Sequence, residues 1–125
     1  MRNQSSTNKL KIINDPVYGF IKIPFDIIFD LIELPMFQRL RRIRQLGLTY
    51  FVYPGANHSR FQHAIGAMHL MGQAIESISS KGHVISDNEA QAVTIAILLH
   101  DIGHGPFSHS LERSLIRDTS HEAIA

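Results

Sequence analysis

Residues 92–109, "AVTIAILLHDIGHGPFSH", constrain this chain more than any other stretch. The first eight contain one polar residue, Thr94, and no charge. A helix that is apolar all round has to be covered on every side. The segment therefore reads as a central core helix around which the other elements pack. Ser86 with Glu89 three residues on is a capping-box pattern, so the helix is expected over roughly 87–100. Its far end is crowded with titratable groups: His100, Asp101, His104 and His109 share ten residues with Gly103, Gly105 and Pro106.

The flanking elements can be read in turn. Residues 1–10 are polar and read as a flexible N-terminus. "KIINDPVYGFIKIP" is two short strands around a turn, broken by Asp15-Pro16 and Gly19, with Ile21, Ile23 and Phe25 alternating on the second. A short helix is predicted over 26–33 with Ile27, Ile28, Leu31 and Ile32 on its apolar side. Pro35 can open the next helix, "MFQRLRRIRQLG", which buries Phe37, Leu40, Ile43 and Leu46 and stops at Gly47. "LTYFVYPGANHSR" reads as a strand or extended segment ending at Pro54-Gly55. The longest helix is predicted over about 59–79, since Phe61, Ile65, Met68, Gly72, Ile75 and Ile78 keep a helical rhythm. Beyond Pro106, a shorter helix from near Phe107 to about 117 and the opening of another at Thr119 or Ser120 are expected.

Composition limits the chemistry. The 125 residues are enough for one domain with a core, and a net charge of +1 offers no strong case for nucleic acid. There is no cysteine, so any metal must be held by nitrogen and oxygen. No apolar run reaches the ~18 residues of a membrane span, and the first residues lack the apolar core of a signal peptide. A cytoplasmic protein is the expectation.

His63 lies near the start of the long helix and His100-Asp101 at the end of the next. If the two helices are antiparallel neighbours, the three side chains meet. A lone His-Asp pair is also what a simple hydrogen-bonded couple looks like. Three polar residues at the mouths of two apolar helices, followed at once by His104 and His109, point instead to a metal site. Neutral imidazole and carboxylate suit Zn, Mn, Fe or Mg.

His63…His100-Asp101 resembles the first three metal ligands of the HD superfamily of metal-dependent phosphohydrolases. "HDIGHGPFSH" is similar in detail to its dNTP triphosphohydrolase branch. So are "KIINDPVYGFI", "FQRLRRIRQLG", "YPGANHSRFQHAIG" and the late "HE", in that order. The resemblance implies an all-α, HD-domain-like helical bundle with a small N-terminal β-hairpin. It implies a divalent metal (Mn, Mg, Fe, Zn or Ni) and a nucleotide substrate or effector. Residues 11–125 would form a partial HD domain, the N-terminal portion of the family fold. The family's fourth ligand, an aspartate from a later helix, has no match here; Asp118 is the sole aspartate after Asp101.

The same resemblance implies individual roles. His104, His109 and His121 match histidines at or near the scissile phosphate, Arg60 a phosphate-binding arginine, and Gln45 and Leu46 residues that contact sugar and base. A regulatory nucleotide site of the branch aligns with Lys11, Asn14, Gln38 and Arg41, and Glu33 stands where an aspartate recognises guanine. The expected activity is hydrolysis of a nucleotide phosphate bond, taking a dNTP to deoxynucleoside and tripolyphosphate. Two alternatives stand beside it: another HD phosphomonoesterase or phosphodiesterase, and a catalytically incomplete HD fragment that binds nucleotide or metal or serves in homo-oligomer assembly. Arg39, Arg41, Arg42 and Arg44 also fit a merely solvated helix face, and Gly66 close helix packing.

Overall fold

The computed structural model describes residues 11–107. His109, Asp118 and His121, and the two helices expected after Pro106, lie outside the described residues.

Strands β1 (Ile12–Asp15) and β2 (Gly19–Lys22) form an antiparallel hairpin in which Ile13 faces Ile21 and Asp15 faces Gly19. The turn is set by local chemistry. The Asp15 carboxylate accepts the Val17 N–H at 3.2 Å, and Gly19 takes φ +73°, where a side chain would be strained. Alternation then sends Ile21 fully into the core and leaves Phe20 exposed on the other face.

Helix α1 (Asp26–Glu33) buries Ile28 and Ile32, one turn apart, and half-buries Leu31, while Ile27, expected on the same side, is 38% exposed. It stops at Leu34, which is extended because Pro35 follows. Pro35 opens α2 (Pro35–Gln38), which tightens into a 3-10 turn over Arg39–Arg42. Phe37 and Leu40 are fully buried, and the Phe37 ring meets Phe61 edge-on at 5.4 Å.

The helix predicted to run on to residue 46 ends at Arg42. Ile43 turns extended, and its carbonyl accepts the Arg60 N–H at 2.7 Å while Gln45 N–H donates to the His58 carbonyl at 2.9 Å. This short antiparallel bridge satisfies backbone groups that a longer helix would have used internally. The extended segment expected after Gly47 is instead a 3-10 turn, Thr49–Phe51.

Helix α3 (Arg60–Ser80) starts on a Ser59–Gln62 capping box and ends at Gly82, at φ +88°. Its first half buries Phe61, Ala64, Ile65 and Met68 against β2, the 3-10 turn of Arg39–Arg42 and α4. Gly66 packs against the hairpin rather than another helix: a Cβ there would sit 3.1 Å from the Tyr18 ring.

Helix α4 (Asp87–Leu99) starts on the predicted Ser86–Glu89 box and runs antiparallel to α3. Among the described residues it buries Thr94 and Leu98, while Ala92, Val93 and Ala96 face outward. The described elements pack against one side of it.

Candidate metal centre

Antiparallel packing of α3 on α4 sets the start of one helix beside the end of the other. His63 is four residues into α3, and His100 caps α4. Their Nε2 atoms are 3.3 Å apart, and each lies 3.5 Å from Asp101 Oδ2. Among the described residues this is the cluster of histidine and carboxylate atoms that could hold a metal ion. Ligand atoms held at ~2.1 Å around one divalent ion stand roughly 3.0–3.4 Å from one another. The triangle is within a few tenths of an ångström of that, and its donor set, two imidazoles and a carboxylate, suits a borderline or hard divalent ion. The residues present fit the metal.

Hydrogen bonding fixes which nitrogen is available. His100 Nδ1 lies 2.6 Å from the Ile97 carbonyl. A carbonyl can only accept, so Nδ1 carries the proton and Nε2 of the neutral ring turns a lone pair towards the cluster. Burial pushes the His63 pKa below 6.5; His100, Arg60 and His58 push it the same way, against the opposing pull of Asp101. His63 is therefore neutral at physiological pH, the form a metal needs.

Asp101 is buried, and its Oδ2 accepts from Arg60 Nη1 at 2.7 Å. Arg60 is itself 3% exposed and also donates from Nη2 to the Gln45 carbonyl at 3.1 Å. The arginine aligned with a phosphate binder thus stands in contact with a ligand of the metal triangle. The chain turns after Asp101, with His104 N–H donating to the Asp101 carbonyl, and buries His104 completely. His104 Nδ1 faces the Gly105 carbonyl at 3.0 Å, which again leaves Nε2 as the basic atom of the neutral ring.

Gln45 and Leu46 flank this region. Gln45 Oε1 is buried with no hydrogen-bond partner among the described residues, and Leu46 lines a cavity of about 260 Å³ with Arg42, Arg44, Tyr50, Pro106 and Phe107. Phe107 takes φ +62°, a conformation that bulky residues rarely adopt. A larger cavity, about 470 Å³, lies on the other flank of His63, between the hairpin turn and α3.

The residues aligned with a regulatory nucleotide site are only partly gathered. Arg41 Nε donates to Gln38 Oε1 at 2.7 Å, and its guanidinium lies 3.8 Å over the Phe61 ring. Phe61 and Asn14 share a small recess beside the hairpin. Lys11 instead stands over the Phe29 ring at 5.6 Å, and Glu33 is exposed at the end of α1.

One participant had no signal in the sequence. Arg39, read with its neighbours as surface charge, reaches across to the turn after Asp101. Its Nη1 donates to the His104 carbonyl at 2.9 Å, and its Nη2 to the carbonyls of Ile102 and His104 at the same distance. Those partners lie more than sixty residues away, so no local pattern reports them.

Comparison with known proteins agrees with this geometry. The HD domain family model matches residues 60–125, more than half of the chain. A Dictyostelium discoideum protein named deoxynucleoside triphosphate triphosphohydrolase SAMHD1 homolog is 48% identical over 110 residues, 86% of this chain and 21% of its own length. The Homo sapiens deoxynucleoside triphosphate triphosphohydrolase SAMHD1 is 42% identical over 115 residues, 90% of this chain and 18% of its own. A solved phosphohydrolase from Bacteroides thetaiotaomicron VPI-5482 superposes with a TM-score of 0.88 at 58% identity, covering 93% of this chain and 29% of that one. The chain thus spans about a fifth of the length of these curated relatives. With its mostly helical fold, its N-terminal hairpin and its His63–His100–Asp101 triangle, the chain belongs to the HD domain family.

Proposed function

We propose that this chain forms the metal-binding part of a phosphohydrolase that acts on a nucleotide, with a deoxynucleoside triphosphate as substrate and deoxynucleoside and tripolyphosphate as products. The observation that carries the reading is the triangle of His63 Nε2, His100 Nε2 and Asp101 Oδ2. The names of the relatives support the choice of substrate.

A bound divalent ion supplies charge neutralisation and a water of lowered pKa. The chain's own residues supply the rest. His63, His100 and Asp101 hold the ion. Arg60, already against Asp101, would offer its planar guanidinium to phosphate oxygens beside the ion that the triangle would hold. Attack of water at the α-phosphorus breaks the bond to the 5′ oxygen, which leaves with a proton. Nε2 of His104 holds such a proton, its Nδ1 being tied to Gly105. His109 and His121 belong to the same reading. The buried Gln45 Oε1 is an acceptor for a sugar hydroxyl, and the cavity beside Leu46 is apolar space for a base. Regulation by a nucleotide through Lys11, Asn14, Glu33, Gln38 and Arg41 is also part of the proposal.

Metal analysis paired with a screen of dNTPs tests it. The expected result is stoichiometric divalent metal and release of inorganic tripolyphosphate, both abolished by His100→Ala and Asp101→Ala. Turnover without metal, or no metal uptake from solutions of Mn, Fe, Ni or Zn, would sink it. Metal uptake without turnover would favour a binding role.

Self-association goes with the same proposal, because the described residues leave Ala92, Val93 and Ala96 of α4 uncovered. Sedimentation velocity checks it, a concentration-independent monomer being the contrary result. A cytoplasmic location is likewise proposed. Among the described residues no helix is long and apolar enough to cross a membrane.

A further inference from the structure

Arg39 stands outside every role assigned above, yet it is bound to the segment that carries two of the site's residues. After Leu99 the chain leaves α4, and its carbonyls lose their helical partners. Two of them, Ile102 and His104, turn to one guanidinium at 2.9 Å. Between them lies Gly103, also buried. The fork spans residues 102–104, so those two carbonyls cannot separate without breaking one of its bonds, and the His104 N–H bond to the Asp101 carbonyl ties Asp101 to the same turn.

The other end of the clamp is anchored. Arg39 opens the 3-10 turn that contains fully buried Leu40, two residues after fully buried Phe37. That turn also packs on α3, the helix that carries His63. The clamp therefore ties the Asp101–His104 turn to the part of the core that bears the third corner of the triangle.

We infer that Arg39 is a positioning residue: its guanidinium fork holds the turn after Asp101 so that Asp101 Oδ2 meets His63 and His100 at ligand distance. The inference rests on the metal site of the proposed function. The fork is the operative feature. Lysine keeps the charge and some of the length, but offers a single ammonium in place of a planar pair of donors, so it can follow one carbonyl and not hold both.

Co(II) is the probe, because its visible absorption reports coordination geometry without requiring turnover. The test compares Co(II) titrations of the unaltered chain, Arg39→Lys, Arg39→Ala and Lys81→Ala, each below its own thermal midpoint. Lys81 is exposed just past the end of α3, lines neither cavity near the triangle, and serves as the charge control. Removing partners that orient metal ligands typically weakens metal affinity about 10–100-fold. Both Arg39 variants are expected to fall in that range with altered d–d bands, while Lys81→Ala keeps the unaltered affinity and spectrum. Should Arg39→Ala fail to fold, Arg39→Lys alone decides. Affinity and spectrum unchanged in an Arg39 variant would overturn the inference and leave the metal site standing. No Co(II) binding by the unaltered chain would overturn both.

Discussion

The Ile97 carbonyl accepts the Nδ1 proton of His100 at 2.6 Å, and this one bond decides which face of the imidazole the site receives. Ile97 sits in the last turn of α4, where carbonyls lack helical donors. The helix end that needed a donor thus orients a metal ligand. His100→Ala removes ligand and tautomer lock together. Divalent metal affinity should drop by more than ~100-fold, beyond the loss typical of outer partners alone, as read by isothermal titration with Mn(II).

His63 has its pKa pushed below 6.5 by burial. Between the folded and unfolded values the unfolded chain binds more protons, so the metal-free protein loses stability as pH falls below 6.5. The decline levels off once the folded-state pKa is passed. Thermal midpoints of the metal-free chain across this window should slope accordingly, and His63→Gln should flatten the slope. Metal affinity should fall at lower pH, as the folded-state pKa is passed and protons compete for the ligand nitrogen.

The Arg60–Asp101 pair is almost fully enclosed, with side-chain exposures of 3% and 6%. Removing one partner of such a pair leaves a buried charge with reduced compensation, at a cost of about 3–5 kcal/mol. Arg60→Ala should therefore lower the stability of the metal-free chain markedly in a urea titration. Saturating divalent metal should restore more stability to this variant than to the unaltered chain, since it brings positive charge back to Asp101. Equal metal stabilisation in the two would argue that Asp101 is not a ligand.

Glu89 accepts bonds from the Ser86 N–H and hydroxyl, which hold its carboxyl below the usual 4.5. A depressed folded value means the stabilising contribution is present above the unfolded pKa and disappears as pH falls through the folded one. Glu89→Ala should be less stable than the unaltered chain at neutral pH. The difference should close in acid, as followed by helical ellipticity in urea.

Phe37 is fully buried and meets Phe61 edge-on. Phe37→Ala should cost about 3–5 kcal/mol through lost burial and the cavity left behind. Because Phe37 lies two residues before Arg39, loosened metal binding should accompany the loss of stability, and Co(II) spectra of the variant check this.

Where local chemistry decides, the order of residues was enough. The Asp15–Gly19 turn, the stop at Leu34 before Pro35 and the Ser86–Glu89 box depend on neighbours within a few positions, and each appears where expected. The His63–His100–Asp101 meeting was legible for a related reason. Residues 81–86 form a short connection, so α3 and α4 had to fold back on each other and bring one start beside one end.

Tertiary structure decided what depends on partners distant in the chain. Helix α2 and its 3-10 turn stop at Arg42 rather than at residue 46 because the 43–45 backbone finds donors and acceptors at 58–60. Among the described elements, the apolar run of α4 is packed on one side, through Thr94 and Leu98. Four arginines between 39 and 44 look alike in sequence. Packing sends Arg39 to the 102–104 carbonyls, lays Arg41 on Phe61 and Arg44 on Tyr50, and leaves Arg42 exposed. Charge and helix period fix neither reach nor partner for a long flexible side chain; only the surface it meets does that.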